Sequence, residues 1–258
     1  MLRETEVSAM AEITRDELRI INETYSDPDE RRRVCEAVES GEMLAYIIGK
    51  WFFYRHDFVI NRDCLVPRPD TERVAEEAIA LLPENGSFAD LCTGSGCIGL
   101  TLLDERKDCR RGLLIDLSAG ALDAAAQSAK LLGCNERAAL VTADILSDDP
   151  LGDEKFDLII SNPPYIRSAD IDTYPGLAAE PRLALDGGRD GLVFYRRIVG
   201  TFAKNLANGG AFVFEIGFDQ ADGISSIADE NGFDAKIGKD YSGNDRVAVL
   251  RRRDSSRQ

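Results

Sequence analysis

The sequence predicts an α/β protein built on a mostly parallel sheet, with a small helical region and a short hairpin ahead of it. Three observations carry that prediction. From Ser87 onward, apolar strand-like runs alternate with amphipathic helix-like stretches, the pattern of a parallel sheet covered on both faces. One strand runs into the small-residue turn Cys92-Thr93-Gly94-Ser95-Gly96, and a later one stops at Asn162-Pro163-Pro164-Tyr165. Between the last two strands lies only Asp240-Tyr241-Ser242-Gly243-Asn244-Asp245, too short for a crossover helix, so these two form an antiparallel hairpin at the sheet edge.

Taken in order, residues 1–48 read as helical. Ser8 to Ile21 and Asp29 to Val38 carry apolar residues at helix-like intervals, Pro28 suits a helix start, and Gly49 ends the region. Residues 49–66 read as a hairpin, because the run from Trp51 to Ile60 is aromatic and β-branched. His56, the one histidine, falls at its tip and is read as a turn residue rather than a catalytic base. Val66-Pro67-Arg68-Pro69 is a stiff extended entry to an amphipathic helix through Val74, Ala78 and Leu82, with Asp70 or Thr71 as its cap. Beyond it, strands are expected near 87–91, 111–116, 138–142, 156–161, 211–216, 234–239 and 246–251. Helices are expected near 96–106, 119–132, 191–207 and 219–231. Residues 67–258 then form one domain.

Composition narrows the function. The 258 residues leave room for one substantial α/β domain and a small accessory region, and 44% hydrophobic residues suffice for a core. No apolar run approaches a membrane span, and the acidic start Met1-Leu2-Arg3-Glu4-Thr5-Glu6 is unlike a secretory signal, so a cytoplasmic protein is expected. A net charge of −15 argues against gripping nucleic acid, which calls for a basic face; Arg31-Arg32-Arg33 and Arg251-Arg252-Arg253 read as solvated element ends. The six cysteines form no C-x-x-C pair, so reduced thiols and no metal site are expected. Nothing in the pattern calls for a partner helix, and a monomer is expected.

Two motifs carry the chemistry. In the first, strand 87–91 ends in a turn where Gly94 and Gly96 allow close approach of a ligand, and the following helix turns its N–H groups toward it. The next strand ends in Asp116, about twenty residues on, where an acid can accept hydrogen bonds from ribose hydroxyls. These residues favour a nucleoside but do not separate a dinucleotide from S-adenosylmethionine. Asn162-Pro163-Pro164-Tyr165 makes that choice. Two prolines remove two N–H donors, so the corner offers acceptors: Asn162 Oδ1 and nearby carbonyls. Such a corner holds both hydrogens of a planar NH₂ while leaving one face of the nitrogen open, as methylation of an amide or amino nitrogen requires. Asp144, with Ile145 beside it, ends the third strand of the alternating region and is placed near the nucleoside. Glu180 to Leu185 and the glycine-rich run Asp186 to Gly191 read as a lid or substrate wall.

Together the pieces resemble the peptide-chain release factor glutamine methyltransferases, over roughly residues 43–250. The residues that carry the resemblance are Val66-Pro67-Arg68-Pro69-Asp70-Thr71-Glu72, Asp90-Leu91-Cys92-Thr93-Gly94-Ser95-Gly96, Ser161 to Ile166, Glu180-Pro181-Arg182-Leu183-Ala184-Leu185, and Gly209-Gly210 with Phe214-Glu215-Ile216-Gly217. The resemblance implies a seven-stranded, Rossmann-like S-adenosylmethionine-dependent methyltransferase sheet. Residues 1–48 become a helical substrate-docking domain, 49–66 a linking hairpin and 67–258 the catalytic domain. It implies S-adenosylmethionine as cofactor and, as substrate, the glutamine in the Gly-Gly-Gln loop of a translation release factor. By the same resemblance Asn162, Pro163 and Tyr165 are the catalytic residues. Asp90, Cys92, Thr93, Gly94, Ser95, Gly96, Asp116, Leu117, Asp144, Ile145 and Asn162 hold the cofactor. Pro164, Arg68, Thr71, Glu72 and Glu180 join the corner in shaping the substrate pocket.

Three departures stand out: Cys92 replaces the family's first turn glycine, Ile145 replaces a common aromatic, and the N-terminal helical region is short. Asn-Pro-Pro-Tyr occurs also in adenine-N6 methyltransferases, but that reading predicts a basic surface and a target-reading domain, and the sequence shows neither. A glutamine methyltransferase acting on a ribosomal protein would share the same pocket. A non-catalytic S-adenosylmethionine-binding module would predict a decayed corner, whereas this one is intact.

Overall fold

The computed structural model describes residues 13–253. They divide into two compact units, one up to Gly49 and one from Lys50.

The first unit holds α1 (Arg15–Thr24), α2 (Pro28–Glu39) and α3 (Leu44–Ile48). Thr14 starts α1 with a capping box: its hydroxyl accepts from Glu17 N at 3.2 Å, and Glu17 Oε2 accepts from Thr14 N at 2.8 Å. Residues 8–12 of the helix expected from Ser8 lie outside the described residues. Asp27 caps α2 with Pro28 at its first position, and Gly49, at φ 76°, ends α3 in the left-handed conformation glycine adopts freely.

The second unit opens with the hairpin of β1 (Lys50–Phe53) and β2 (His56–Val59), antiparallel with Phe53 opposite His56. His56 therefore begins a strand instead of forming the turn, and its Nε2 lies 3.0 Å from Asp104 Oδ2. α4 (Glu72–Leu81) follows a single 3₁₀ turn over Pro69–Thr71. Thr71 occupies its N-cap position, yet its hydroxyl makes no capping bond, since the residue already has helical φ and ψ and the side chain is drawn inward.

β3 (Ser87–Leu91), β4 (Arg111–Asp116), β5 (Ala138–Thr142), β6 (Phe156–Ser161), β7 (Leu206–Glu215), β8 (Phe233–Lys239) and β9 (Asp245–Arg252) form one sheet in the order β5-β4-β3-β6-β7-β9-β8. β3 to β7 are parallel neighbours, while β9 runs antiparallel to both β7 and β8. The crossovers are α5 (Cys97–Glu105), α6 (Ala119–Leu131), α7 (Val193–Phe202) and α8 (Ala221–Glu230). Every residue of β3 is buried, as expected of a strand covered on both faces. Phe156, Tyr195, Phe202, Phe212, Phe214 and Phe233 fill the core between the sheet and α7 and α8. Each fully buried large apolar side chain of this cluster contributes ~1.5–3 kcal/mol.

One boundary differs from expectation. The helix expected to run to 207 stops at Phe202, and β7 begins at Leu206, ahead of Gly209-Gly210. Asn205 is the cause: buried, it donates to the Gly152 and Glu154 carbonyls at 3.0 and 2.8 Å and turns the chain into the sheet. The two glycines lie within the strand at a register shift, and a Cβ on Gly210 would meet the Asp157 carbonyl oxygen at 2.9 Å.

Candidate active site

Strand order places the site. β4 lies on one side of β3 and β6 on the other, so the connections after β3 and β6 leave in opposite directions and open a crevice at their carboxyl ends. Leu91 pairs with Ser161, and Ser161 Oγ donates to the Leu91 carbonyl at 2.5 Å. The small-residue turn from Cys92 and the corner from Asn162 thus start side by side. Between them lies a cleft of about 1050 Å³, counting its open mouth.

The turn is held from behind. Asp90, buried, accepts from Thr93 Oγ1 at 2.6 Å and from Gly99 N at 3.1 Å on one oxygen, while its other oxygen has no partner among the described residues. Burial pushes its pKa up to about 7, against the opposing pull of those two hydrogen bonds. Asp90 lies behind the turn and does not line the cleft; Cys92, Thr93, Gly94 and Ser95 do. Gly96 caps α5 at φ 78°, where a Cβ would press on Leu100 at 2.9 Å. Cys92, in the family's glycine position, holds φ 58°, so the departure from glycine is carried as left-handed backbone.

Asp116 is oriented before any ligand arrives. Oδ2 accepts from Gly94 N at 2.8 Å and Oδ1 from Ser118 N at 2.9 Å, leaving each oxygen a further lone pair toward the cleft. Burial raises its pKa above the usual carboxylate range, and the backbone donors oppose that rise. Leu117, Asp144 and Ile145 line the same end. Asp144 spends acceptor capacity on its own loop, from Leu146 N at 2.9 Å and Ser147 Oγ at 3.3 Å.

At the corner, Asn162 and Pro164 line the cleft, whereas Pro163 is buried behind them and Tyr165 turns away. Asn162's amide, on the cleft, makes no hydrogen bond with the described residues, and none of their donors reaches the carbonyl of Pro163, although Pro163 is not itself among the cleft-lining residues. Tyr165 Oη donates to Glu215 Oε1 at 3.2 Å, and burial raises its pKa. Its ring therefore stands beneath the corner and does not line the cleft.

Of the expected pocket-shaping residues, Thr71 lines the cleft; Arg68, Glu72 and Glu180 do not. Glu72 Oε1 accepts from Tyr54 N at 2.9 Å, which ties the hairpin to α4. Arg68 pairs with Glu180, whose side chain is fully sealed from solvent and whose pKa burial raises against the attraction of Arg68. That ion pair fixes the wall on which Leu183 and Ala184 face the cleft. The glycine-rich run after it is a buttress, not a lid. Ile166 N donates to the Leu185 carbonyl at 3.0 Å, Gly187 N to the Ile166 carbonyl at 2.8 Å, and a Cβ on Gly191 would strike the Tyr165 carbonyl oxygen at 2.4 Å.

The sequence reading missed Asp63, Leu65 and Phe194 as cleft residues. Phe194 lies on α7, one turn before Arg197, which donates to the Ile145 carbonyl at 2.8 Å; an aromatic ring from α7 thus lines the cleft that Ile145 also lines. Its signal was the run Leu192-Val193-Phe194-Tyr195, more apolar than one helix face can bury.

Comparisons with known proteins bear on the family and the fold. Residues 75–181 match the family model described as methyltransferase small domain. A release factor glutamine methyltransferase of Caulobacter vibrioides is 41% identical over 213 residues, 81% of this chain and 73% of that one. One of Moorella thermoacetica is 36% identical over 253 residues, 94% of this chain and 87% of that one. Among solved structures, the hMettl16 catalytic domain in complex with MAT2A 3'UTR hairpin 1 superposes with TM-score 0.64 at 14% identity, over 77% of this chain and 76% of that one. A ribosomal protein L11 methylase of Lactobacillus delbrueckii gives 0.54 at 21%, over 72% and 81%. At such identities these two structures establish the shared sheet alone. Among the described residues no helix is long and apolar enough to cross a membrane.

Proposed function

The chain belongs to the release factor glutamine methyltransferases, and from that premise we propose that it methylates the side-chain amide nitrogen of the Gly-Gly-Gln glutamine of a release factor, using S-adenosylmethionine. The observation that carries the reading is the Asn162 amide, without a hydrogen bond among the described residues, on the same cleft as the Thr93–Ser95 turn and Asp116. The residues present fit such a cofactor. Asp116 retains acceptor capacity for ribose hydroxyls, the turn offers small side chains to the methionine end, and Leu117, Ile145 and Phe194 supply apolar walls for the adenine. Asp144 accepts from the adenine amino group with the capacity its loop leaves free.

S-adenosylmethionine, when bound, supplies a sulfonium-held methyl group. The chain's part is to present the nitrogen. An amide lone pair is delocalised into its carbonyl and is a poor nucleophile. Asn162 Oδ1 accepts one N–H of the substrate amide and the Pro163 carbonyl accepts the other, which aims the lone pair, perpendicular to the amide plane, at the methyl position and favours pyramidal nitrogen. Once methylated, the nitrogen held by Asn162 and Pro163 would be acidic and would lose its proton to water, the sulfur of the cofactor leaving as the neutral thioether. Orientation of this kind can contribute ~7–11 kcal/mol of barrier lowering, and because the methylated nitrogen is acidic no strong general base is required. Tyr165 supports the corner from beneath, and the helices before Gly49 are assigned to docking the release factor on the family resemblance.

The test is transfer of labelled methyl from S-adenosylmethionine to purified release factor, with a Gln→Ala change in its Gly-Gly-Gln loop as control. Label on the normal factor and none on the control is expected. Label on a ribosomal protein or on DNA instead would keep the cofactor and overturn the substrate.

A further inference from the structure

Glu215 ends β7 in a setting that costs stability. It is 2% exposed and flanked by the fully buried Phe214 and Ile216. Oε1 accepts from Tyr165 Oη at 3.2 Å, whereas Oε2 makes no well-formed hydrogen bond among the described residues; the buried Thr71 hydroxyl is the donor that pulls on the carboxyl without completing one. Arg246 attracts the carboxylate, yet its guanidinium is committed elsewhere. It meets Asp240 at 3.4 Å, the Ile216 carbonyl at 3.2 Å and Asp70 at 3.8 Å. Burial accordingly raises the Glu215 pKa, opposed by Thr71, Arg246 and Tyr165. A buried acid whose oxygens are only partly satisfied, with no close ion pair of its own, is less stable than an apolar residue in the same place. Its presence is explained by what it holds.

What it holds is the far end of the Asn162 corner. Pro163 and Pro164 have no N–H, so the corner cannot be fastened through its own main-chain donors. The first residue after them that can be gripped is Tyr165. Its carbonyl accepts from Gln220 Nε2 at 3.0 Å and its hydroxyl is taken by Glu215. Glu215 is itself anchored, since its carbonyl accepts from Tyr195 Oη at 2.8 Å. Ser161 pairs with Phe214, so the acid sits one residue past the point where β7 lies beside the start of the corner.

We propose that Glu215 is a positioning residue for methyl transfer: by accepting from Tyr165 Oη it fixes the direction in which Asn162 and Pro163 present their oxygens to the acceptor amide. The inference rests on the glutamine-methylation reading and adds to it a residue that touches neither substrate nor cofactor.

The experiment compares the full-length wild type with Glu215→Leu, Glu215→Gln, Tyr165→Phe and the Tyr165→Phe/Glu215→Leu double variant. Four quantities are read: cofactor Kd by calorimetry, Tm, hydrogen exchange at residues 165–168, and kcat with KM on release factor. Since a misplacement of about 1 Å can cost about 100-fold in rate, Glu215→Leu should lower kcat by about 30- to 100-fold. Its cofactor Kd should stay within about twofold and its Tm should be unchanged or raised, a combination that loss of fold cannot give. Exchange at 165–168 should quicken. Glu215→Gln keeps an acceptor for Tyr165 and should remain within about fivefold of wild type in kcat. Tyr165→Phe, which removes only the hydroxyl, should match Glu215→Leu, and the double variant should lose no more than either alone. The proposal is overturned if Glu215→Leu keeps kcat within about twofold, if its loss is shared equally by cofactor Kd, or if the two losses multiply. Should the wild type methylate no release factor, the substrate reading fails, while exchange at 165–168 still decides whether Glu215 holds the corner.

Discussion

Removing the positive partner of Glu180 tests how the cleft wall is held. The Glu180 side chain has no exposure, one of its oxygens is taken by Arg68, and the other has no partner among the described residues. Deleting one member of a buried pair costs ~3–5 kcal/mol, because the remaining charge is stranded. The Arg68 side chain is 38% exposed, so water offsets part of that loss, and Arg68→Met should cost ~2–3 kcal/mol near pH 8. For a chain of this size that is roughly a 4–12 °C fall in Tm. The pH dependence has a definite sign. The folded-state pKa of Glu180 is raised by burial, and Arg68 opposes the rise. A group with a raised folded pKa contributes stability that is fully present below its unfolded pKa and is lost as pH climbs through the folded one. Without Arg68 the rise is larger, so the deficit of the variant should grow from mildly acidic to alkaline pH and shrink on acidification. Urea unfolding at pH 5 and pH 8 measures this. Arg68→Met/Glu180→Gln, with no charge left to strand, should recover more than half of the loss. A deficit equal at both pH values, or a double variant no better than the single one, would refute the reasoning.

Three further outcomes are expected. Asn162→Ala should lower transfer by ~100- to 1000-fold, the scale of losing one oriented group at a developing charge, while calorimetric cofactor affinity is spared; affinity lost in step with activity would sink the division of roles. Asp116→Ala should do the reverse, weakening cofactor Kd by ~10- to 100-fold, the worth of charge-assisted hydrogen bonds, with a smaller fall in kcat at saturation. Cys92 holds φ 58°, so Cys92→Val should cost ~1–3 kcal/mol in urea unfolding, whereas Cys92→Gly should be at least as stable as Cys92→Ala.

Local pattern made the sheet legible. The first four strands of the alternating region occupy the residues their apolar runs mark, since fully buried parallel strands leave little ambiguity about where they start and stop. β7 was less legible, because Gly209-Gly210 reads as a break unless the bulge beside Asp157 is known. The two motifs were legible for the same local reason: each is a short run at a strand end. What was not legible is which side each residue faces. Asp90, Tyr165, Arg68 and Glu180 belong to the right segments but turn behind the cleft and hold its walls, and only a partner elsewhere in the chain decides that. Phe194, Leu65 and Asp63 enter from segments with no motif at all.

The pairing of Leu91 with Ser161 makes one unit of two motifs that lie 70 residues apart. Neighbouring strands are only ~4.8 Å apart, so the turn that suits a nucleoside and the corner that suits an amide begin within one strand spacing of each other. Yet they are fastened independently. The turn hangs on Asp90 and Asp116 through main-chain and hydroxyl donors. The corner, stripped of donors by its prolines, hangs on Tyr165 through Glu215 and Gln220. Two anchoring systems that share no residue imply that cofactor affinity and transfer rate can be altered separately. That separation is the physical basis for expecting Asp116 and Asn162 substitutions to fail in opposite ways.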